Sequence, residues 1–151
     1  MLNKLYSIWL AIGNILSFFM KAFLRMNGAK IGRNVYISIT SKIYCSKLII
    51  DDNVSIESGV RVNAREMKIG SGVIISEKTQ ILGGGDIEIG KNSYIGKNAK
   101  IDISCKVTIG RDVGFGEFSV LYTHASFLPT DEGYLSKYEP VTIGDNCWLT
   151  T

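Results

Sequence analysis

The chain has 151 residues, which is long enough for one domain with a buried core. Of these residues 46% are hydrophobic and 21% are charged, a composition that argues against disorder of the whole chain. The formal net charge of +3 is too small to indicate a nucleic-acid-binding protein. The three cysteines, Cys45, Cys105 and Cys147, are scattered and form no C-x-x-C pair, which argues against a zinc site and a disulfide framework and favours a reducing, cytoplasmic compartment.

The charges are distributed unevenly along the chain. Residues 1–50 contain seven basic and no acidic residues, whereas the rest has ten basic against 14 acidic residues, a net charge of −4. A basic end of this kind indicates contact with an anionic partner, such as a phospholipid surface or a phosphorylated carrier.

The N-terminal segment, residues 1–28, is predicted to be an apolar helix that stops at Asn27-Gly28. Its uncharged run, residues 5–20, is shorter than the roughly 20 residues needed to span a bilayer. Six of its polar residues fall in one narrow stripe of the helix. These residues are Asn3, Ser7, Asn14, Ser17, Lys21 and Arg25.

Three interpretations of this helix are open. A secretory signal would need a small-residue cleavage site, and Met20-Lys21-Ala22 is a poor one. A helix in the membrane interface, with peripheral contact through residues 3–25, fits the stripe and the basic flank. A helix packed on its own oligomer, or across the open end of the domain, fits equally well.

The remainder, residues 29–151, is built from a repeated phrase that begins with isoleucine and continues with glycine, asparagine or aspartate. The spacings between successive leading isoleucines are 19, 19, 20, 20 and 34 residues. A period near 20 indicates stacked structural units. The leading residues are Ile31, Ile50, Ile69, Ile89, Ile109 and Ile143.

A second apolar residue follows six positions after most of these isoleucines, as in Ile31 and Ile37, or Ile109 and Phe115. Six residues suit one short strand and a turn, and the polar residues and glycines between strands tolerate the positive φ of tight corners. Three such steps describe a triangular parallel β-solenoid with an apolar interior. An ordinary all-β sandwich is the alternative, and six evenly spaced phrases argue against it.

The chain from Ile31 to Trp148 resembles the hexapeptide-repeat acyltransferases, and within them the sugar O-acetyltransferases of the maltose/galactoside and capsule or lipopolysaccharide type. The resemblance is carried by residues 100–102, 107–110, 122–124 and 140–148. It implies a left-handed parallel β-helix, a homotrimer with active sites between subunits, acetyl-CoA as co-substrate, and a saccharide acceptor used in surface-polysaccharide assembly.

The gap of 34 residues contains an extruded loop, residues 122–140, with His124, the only histidine, at its base. Long loops on a rigid scaffold commonly carry function, and imidazole titrates near neutrality, so we predict that His124 is a general base. A surface histidine without a role is the alternative. No serine or cysteine nucleophile is required, and we expect Cys105 and Cys147 to point inward and to be inert.

Other residues are assigned by the resemblance. Asn98 is expected to bind the acceptor hydroxyl, or else to be a corner residue. Asp102 is expected to bind the acceptor or to orient His124, or else to be a solvated carboxylate. Glu117 is a weaker third candidate. Trp148 is expected to line the CoA site, or else to pack between coils.

The chain ends within a coil shortly after Trp148, whereas the family continues for further coils. We therefore expect a C-terminally truncated fold that binds acetyl-CoA poorly on its own. A non-catalytic β-solenoid scaffold, or an inactive fragment of such an enzyme, is the competing hypothesis, and an N-acetyltransferase acting on an amino sugar is a third. The basic N-terminus is compatible with a place at the inner face of the membrane.

Overall fold

The computed structural model describes residues 2–126, 133 and 136–150, with side chains from residue 11 onward. One helix, α1 (Leu2–Met26), precedes a succession of short strands. These strands are β1 (Lys30–Ile31), β2 (Tyr36–Ile37), β3 (Lys42–Ile50), β4 (Ser55–Ile56), β5 (Arg61–Ile69), β6 (Ile74–Ile75), β7 (Gln80–Leu82), β8 (Asp86–Ile89), β9 (Tyr94–Ile95), β10 (Lys100–Asp102), β11 (Val107–Ile109), β12 (Gly114–Phe115), β13 (Val120–Leu121), β14 (His124–Ser126), β15 (Ser136–Tyr138), β16 (Val141–Ile143) and β17 (Trp148–Leu149).

The strands form three parallel faces of a solenoid. Face 1 contains β2, β4, β6, β9, β12 and β17 in that order. Face 2 contains the first part of β3 and of β5, then β7, β10 and β13, and face 3 contains β1, the last part of β3 and of β5, then β8, β11 and β16. The predicted parallel β-solenoid is confirmed, and its left hand stays a prediction from the resemblance.

The core is a set of aliphatic columns that run along the solenoid axis. On face 1, each inward residue is paired in register with the corresponding residue of the next coil. All members of this column are less than 2% exposed. They are Ile37, Ile56, Ile75, Ile95 and Phe115. The apolar residue at every sixth position is therefore the interior residue, as the spacing predicts.

The corners between faces are made by residues in the left-handed region of backbone conformation. Asn34, Asn53, Asn92 and Asp112 have φ values between 52° and 61°, which asparagine and aspartate tolerate better than most residues. The Asn34 amide also donates a hydrogen bond to Asn53 Oδ1 at 3.2 Å. The prediction that the polar residues of the repeat form corners is confirmed.

The helix α1 packs across the first coil through Ser17, Lys21 and Arg25 of its polar stripe. The Ile37 N–H donates to Ser17 Oγ at 2.9 Å, and Lys21 Nζ donates to the carbonyl oxygen of Val35 at 2.7 Å. Arg25 donates to the carbonyl oxygen of Ile31 at 2.9 Å. These groups lie at the edge of the solenoid, where no further coil pairs with them. Among the three interpretations of the N-terminal helix, packing across the open end of the domain is the one that describes these contacts.

The three cysteines are all free and half-buried. Burial raises the pKa of the Cys45 thiol to about 11, against a smaller lowering by a backbone hydrogen bond from Ala64. Cys147 packs against the core, as predicted. The backbone N–H of Cys105 donates to Thr123 Oγ1 at 3.1 Å, and the inward position expected for its thiol stays a prediction.

The predicted extrusion lies at the corner between faces 2 and 3. Strands β14 and β15 leave this corner as an antiparallel pair in which His124 lies opposite Tyr138. The Glu139 N–H donates to the carbonyl oxygen of Thr123 at 2.9 Å and closes the base of the pair. The predicted loop, residues 122–140, has residues 127–132, 134 and 135 outside the described residues.

Candidate active site

The side chains of Asp102 and His124 meet at the base of the extruded pair. Asp102 ends β10 and His124 begins β14, one coil later, and His124 Nδ1 lies 3.2 Å from Asp102 Oδ1. The His124 side chain is 36% exposed and that of Asp102 is 17% exposed. The structure thus brings together two of the predicted site residues, with the imidazole open to solvent and the carboxylate behind it.

Hydrogen bonds hold the Asp102 carboxylate in place. Thr123 Oγ1 donates to Oδ1 at 2.5 Å, and Ser104 donates from its backbone N–H to Oδ1 at 3.2 Å and from its hydroxyl to Oδ2 at 3.0 Å. Partial burial raises the pKa of the Asp102 carboxyl, but the hydrogen bonds from Thr123, Ser104 and His124 outweigh that effect and lower the pKa below the ordinary value of 3.8. Asp102 is therefore a carboxylate at neutral pH.

The charge on Asp102 determines the tautomer of neutral His124. A carboxylate only accepts hydrogen bonds, so Nδ1 of the imidazole carries the proton that faces Asp102. The lone pair is then on Nε2, the nitrogen that faces away from Asp102. A proton arriving at Nε2 would form an imidazolium stabilised by the carboxylate 3.2 Å from Nδ1. This arrangement suits proton abstraction.

Two tyrosines restrict the orientation of the imidazole ring. Tyr138 stacks on His124 with ring centroids 5.2 Å apart and an interplanar angle of 27°. Tyr122 approaches edge-on with centroids 5.6 Å apart. Offset stacking and edge-to-face contacts are the favoured aromatic geometries. Together with the Asp102 hydrogen bond, they hold the ring in one plane.

Two small clefts flank the dyad on either side of Tyr122. One, of about 150 Å³, is lined by His124 together with Lys137 and Glu139. The other, of about 210 Å³, is lined by Asp102 together with Gln80 and Lys100. Sites for small molecules usually measure roughly 300–1,000 Å³. The clefts that the described residues form therefore offer polar groups beside the dyad, in a volume smaller than that of an ordinary small-molecule site.

The other predicted site residues do not contact the dyad in this chain. Asn98 is a corner residue with φ of 57°, at the opposite end of β10 from Asp102, so the corner interpretation describes its backbone. Trp148 lies on face 1, where its indole covers Gly114 and is 76% exposed. Glu117 is exposed at the corner between faces 1 and 2, near Glu77 and Lys97. The binding roles expected for Asn98 and Trp148 stay predictions.

Three contributors were not found by sequence reasoning. Thr123 and Ser104 orient Asp102, and Tyr138 stacks on His124. A serine two residues after an aspartate is a recognisable side-chain turn motif, which could have identified Ser104. Tyr138 had no such signal, because it reaches His124 only through the pairing of β14 with β15.

Comparisons with models of protein families, with curated proteins and with solved structures found no match to this chain. The resemblance to hexapeptide-repeat acyltransferases therefore depends on the repeat phrases and motifs quoted above.

The hydrogen bonds to Asp102 predict a pH-dependent contribution to stability. Replacing Asp102 by alanine leaves the buried Thr123 hydroxyl without its acceptor, and we expect a loss of about 1–3 kcal/mol in the free energy of unfolding at neutral pH. The pKa of Asp102 is lower in the folded than in the unfolded chain, so its contribution is complete above the unfolded pKa and is lost as the pH falls through the folded pKa.

Urea denaturation of wild type and Asp102→Ala, at neutral pH and below pH 3.8, measures this contribution. The difference between the two proteins should shrink at the lower pH. Asp51→Ala is the matched control, since Asp51 is exposed and no hydrogen bond to its carboxylate is found within the described residues. Equal pH dependence for the two variants would contradict a structural role for the Asp102 carboxylate.

Proposed function

We propose that this chain is the catalytic solenoid of an O-acetyltransferase, which moves an acetyl group from acetyl-CoA to a saccharide hydroxyl. The observation that carries the proposal is the His124–Asp102 pair, with Nδ1 at 3.2 Å from a carboxylate oxygen and no hydrogen bond to Nε2 from any residue that the structure describes. The pair lies at the base of the extrusion on a rigid β-solenoid, where the resemblance expects the catalytic histidine.

The transfer needs one general base and no covalent enzyme intermediate. His124 Nε2 takes the proton of the acceptor hydroxyl as its oxygen bonds to the acetyl carbonyl carbon. The bond between that carbon and sulfur breaks, and the thiolate of CoA leaves with the electron pair. The imidazolium, stabilised by Asp102, then returns the proton to the thiolate. Asp102 acts here as a positioning residue, because its oxygens contact His124, Thr123 and Ser104.

A site shared between two subunits accounts for the positions of His124 and Trp148. His124 lies at the corner between faces 2 and 3, whereas Trp148 lies on face 1, so both residues can contribute to one site only if they come from different chains. The small volume of the clefts that the described residues form beside the dyad supports the same arrangement. These two observations support the homotrimer that the resemblance implies, with the acceptor and the thioester enclosed between neighbouring chains.

Acceptor-dependent release of CoA thiol tests this function on the full chain. We expect release from acetyl-CoA that increases when a suitable mono- or oligosaccharide is added, and mass spectrometry of the sugar should show one added acetyl group. Millimolar acetyl-CoA is used so that weak binding does not conceal turnover. A panel of hexoses, amino sugars and their glycosides that gives no acceptor-dependent release would contradict the proposal and favour the scaffold hypothesis.

A further inference from the structure

The helix α1 has the opposite orientation from an ordinary surface helix. Six large apolar residues between 12 and 26 fall in one sector of about 100°, on the side away from the solenoid, and each of them is exposed. They are Ile12, Ile15, Leu16, Phe19, Phe23 and Met26. Phe18 is exposed beside this sector, whereas Leu24 is buried and Met20 is partly buried against the core. Ser17, Lys21 and Arg25, whose side chains bond backbone groups of the first coil, lie on the opposite side of the helix.

The hydrogen bonds of the polar stripe prevent the helix from turning over. Rotating it would remove the acceptor of the Ile37 N–H and the donors to the carbonyl oxygens of Val35 and Ile31. Backbone groups of this kind are costly when they are buried without a partner. The fold therefore keeps a contiguous strip of aromatic and aliphatic side chains facing outward, and a contiguous exposed apolar strip indicates an interaction surface.

The charge around this strip indicates the kind of partner. Residues 1–50 have seven basic and no acidic side chains. On the first coil Lys30, Arg33 and Lys42 are exposed, and among the described residues only Arg33 of these three has an acidic partner, Asp52 of the next coil. A second copy docked on the same strip would bring two basic ends together. An anionic lipid surface offers both an apolar layer for the aromatic side chains and negative charge for the lysines.

We propose that the outward face of α1 is a membrane-docking surface, on which the chain lies with the helix in the interfacial plane of an anionic bilayer. The aromatic and aliphatic strip enters the boundary between headgroups and acyl chains, and the basic first coil contacts the headgroups. No helix in the described part of the chain has the length and hydropathy needed to cross a membrane. The docking does not depend on acetyl transfer.

Sedimentation with lipid vesicles tests the docking. The full chain is mixed with vesicles of phosphatidylcholine alone, or of phosphatidylcholine and phosphatidylglycerol in equal amounts. We expect binding to the anionic vesicles, and weaker binding at high salt because the headgroup attraction is screened. The double substitution Phe19→Gln and Phe23→Gln keeps good helix formers at both exposed positions and should lower vesicle partitioning by at least about tenfold.

Phe118→Asn is the matched control. Phe118 is 64% exposed, a fraction similar to those of Phe19 and Phe23. It lies at a corner near the other end of the solenoid, and its φ of 56° is one that asparagine accepts. This variant should bind vesicles like the wild type, and circular dichroism should show that all variants are folded. Absence of binding to anionic vesicles would overturn the proposal. A change of oligomeric state caused by Phe19→Gln and Phe23→Gln, without vesicle binding by the wild type, would instead identify the strip as an interface between copies.

Discussion

Replacing His124 by alanine is expected to lower kcat/KM for acetyl transfer by about 10²–10⁴-fold, the range that general-base catalysis contributes. The variant loses Nε2, the group proposed to take the hydroxyl proton, while Asp102 keeps its hydrogen bonds to Thr123 and Ser104. The His124 side chain is partly exposed, so the fold should persist. Initial rates of acceptor-dependent CoA release over a range of acceptor concentrations measure the effect.

His124→Asn separates the chemical role from a structural one. An asparagine amide can donate to Asp102 from nearly the position of Nδ1, but it has no basic nitrogen at the position of Nε2. We therefore expect the asparagine variant to unfold at the same denaturant concentration as the wild type and to be as impaired in transfer as the alanine variant. An asparagine variant with near wild-type kcat/KM would remove His124 from the mechanism.

The repeat made most of the fold predictable. Branched aliphatic residues recur at intervals of six and about 20 residues, and such residues can be buried at this period only by stacking successive coils. The orientation of α1 was harder to predict from the sequence. A polar stripe on an apolar helix usually faces water, whereas Ser17, Lys21 and Arg25 bond backbone groups of the first coil. Whether the backbone groups at the edge of the first coil need hydrogen-bond partners from the helix depends on the tertiary structure.

The candidate site was predictable only where its residues have chemical signals of their own. His124 stands out as the only histidine, at the start of the interruption. Asp102 was assigned by the resemblance to the acyltransferases, and its contact with His124 depends on the pairing of β10 with β13. Tyr138 was missed because the antiparallel pairing across the extrusion, which places it opposite His124, is not encoded in a local motif.

The number of coils sets the distance between the two proposed sites. On face 2, β13 is four strand pairings away from β3 of the first coil. At about 4.8 Å per pairing, the dyad lies roughly 20 Å along the axis from the coil that α1 covers. A saccharide anchored in the membrane would have to extend over that distance to reach His124, so the two proposals together favour an oligosaccharide acceptor over a single lipid-linked sugar.

Ile75→Ala is expected to lower the free energy of unfolding by about 2–5 kcal/mol, a shift of roughly 5–15 °C in Tm. Ile75 is fully buried and lies in register between Ile56 and Ile95 on face 1. Truncating it leaves a cavity that adjacent coils cannot fill, because their hydrogen-bonded ladders fix the coil spacing. Thermal unfolding followed by circular dichroism measures the loss.

Ile74→Ala is the internal control, because the same residue type occupies the adjacent position of the same strand with its side chain outward and 40% exposed. Its truncation should cost less than about 1 kcal/mol.

In a solenoid each coil contacts only its neighbours, so a weak coil in the middle separates two halves that no other contact joins. Ile75→Ala should therefore broaden the unfolding transition as well as lower its midpoint. Equal losses for Ile74 and Ile75 would contradict the inward column as the main source of stability.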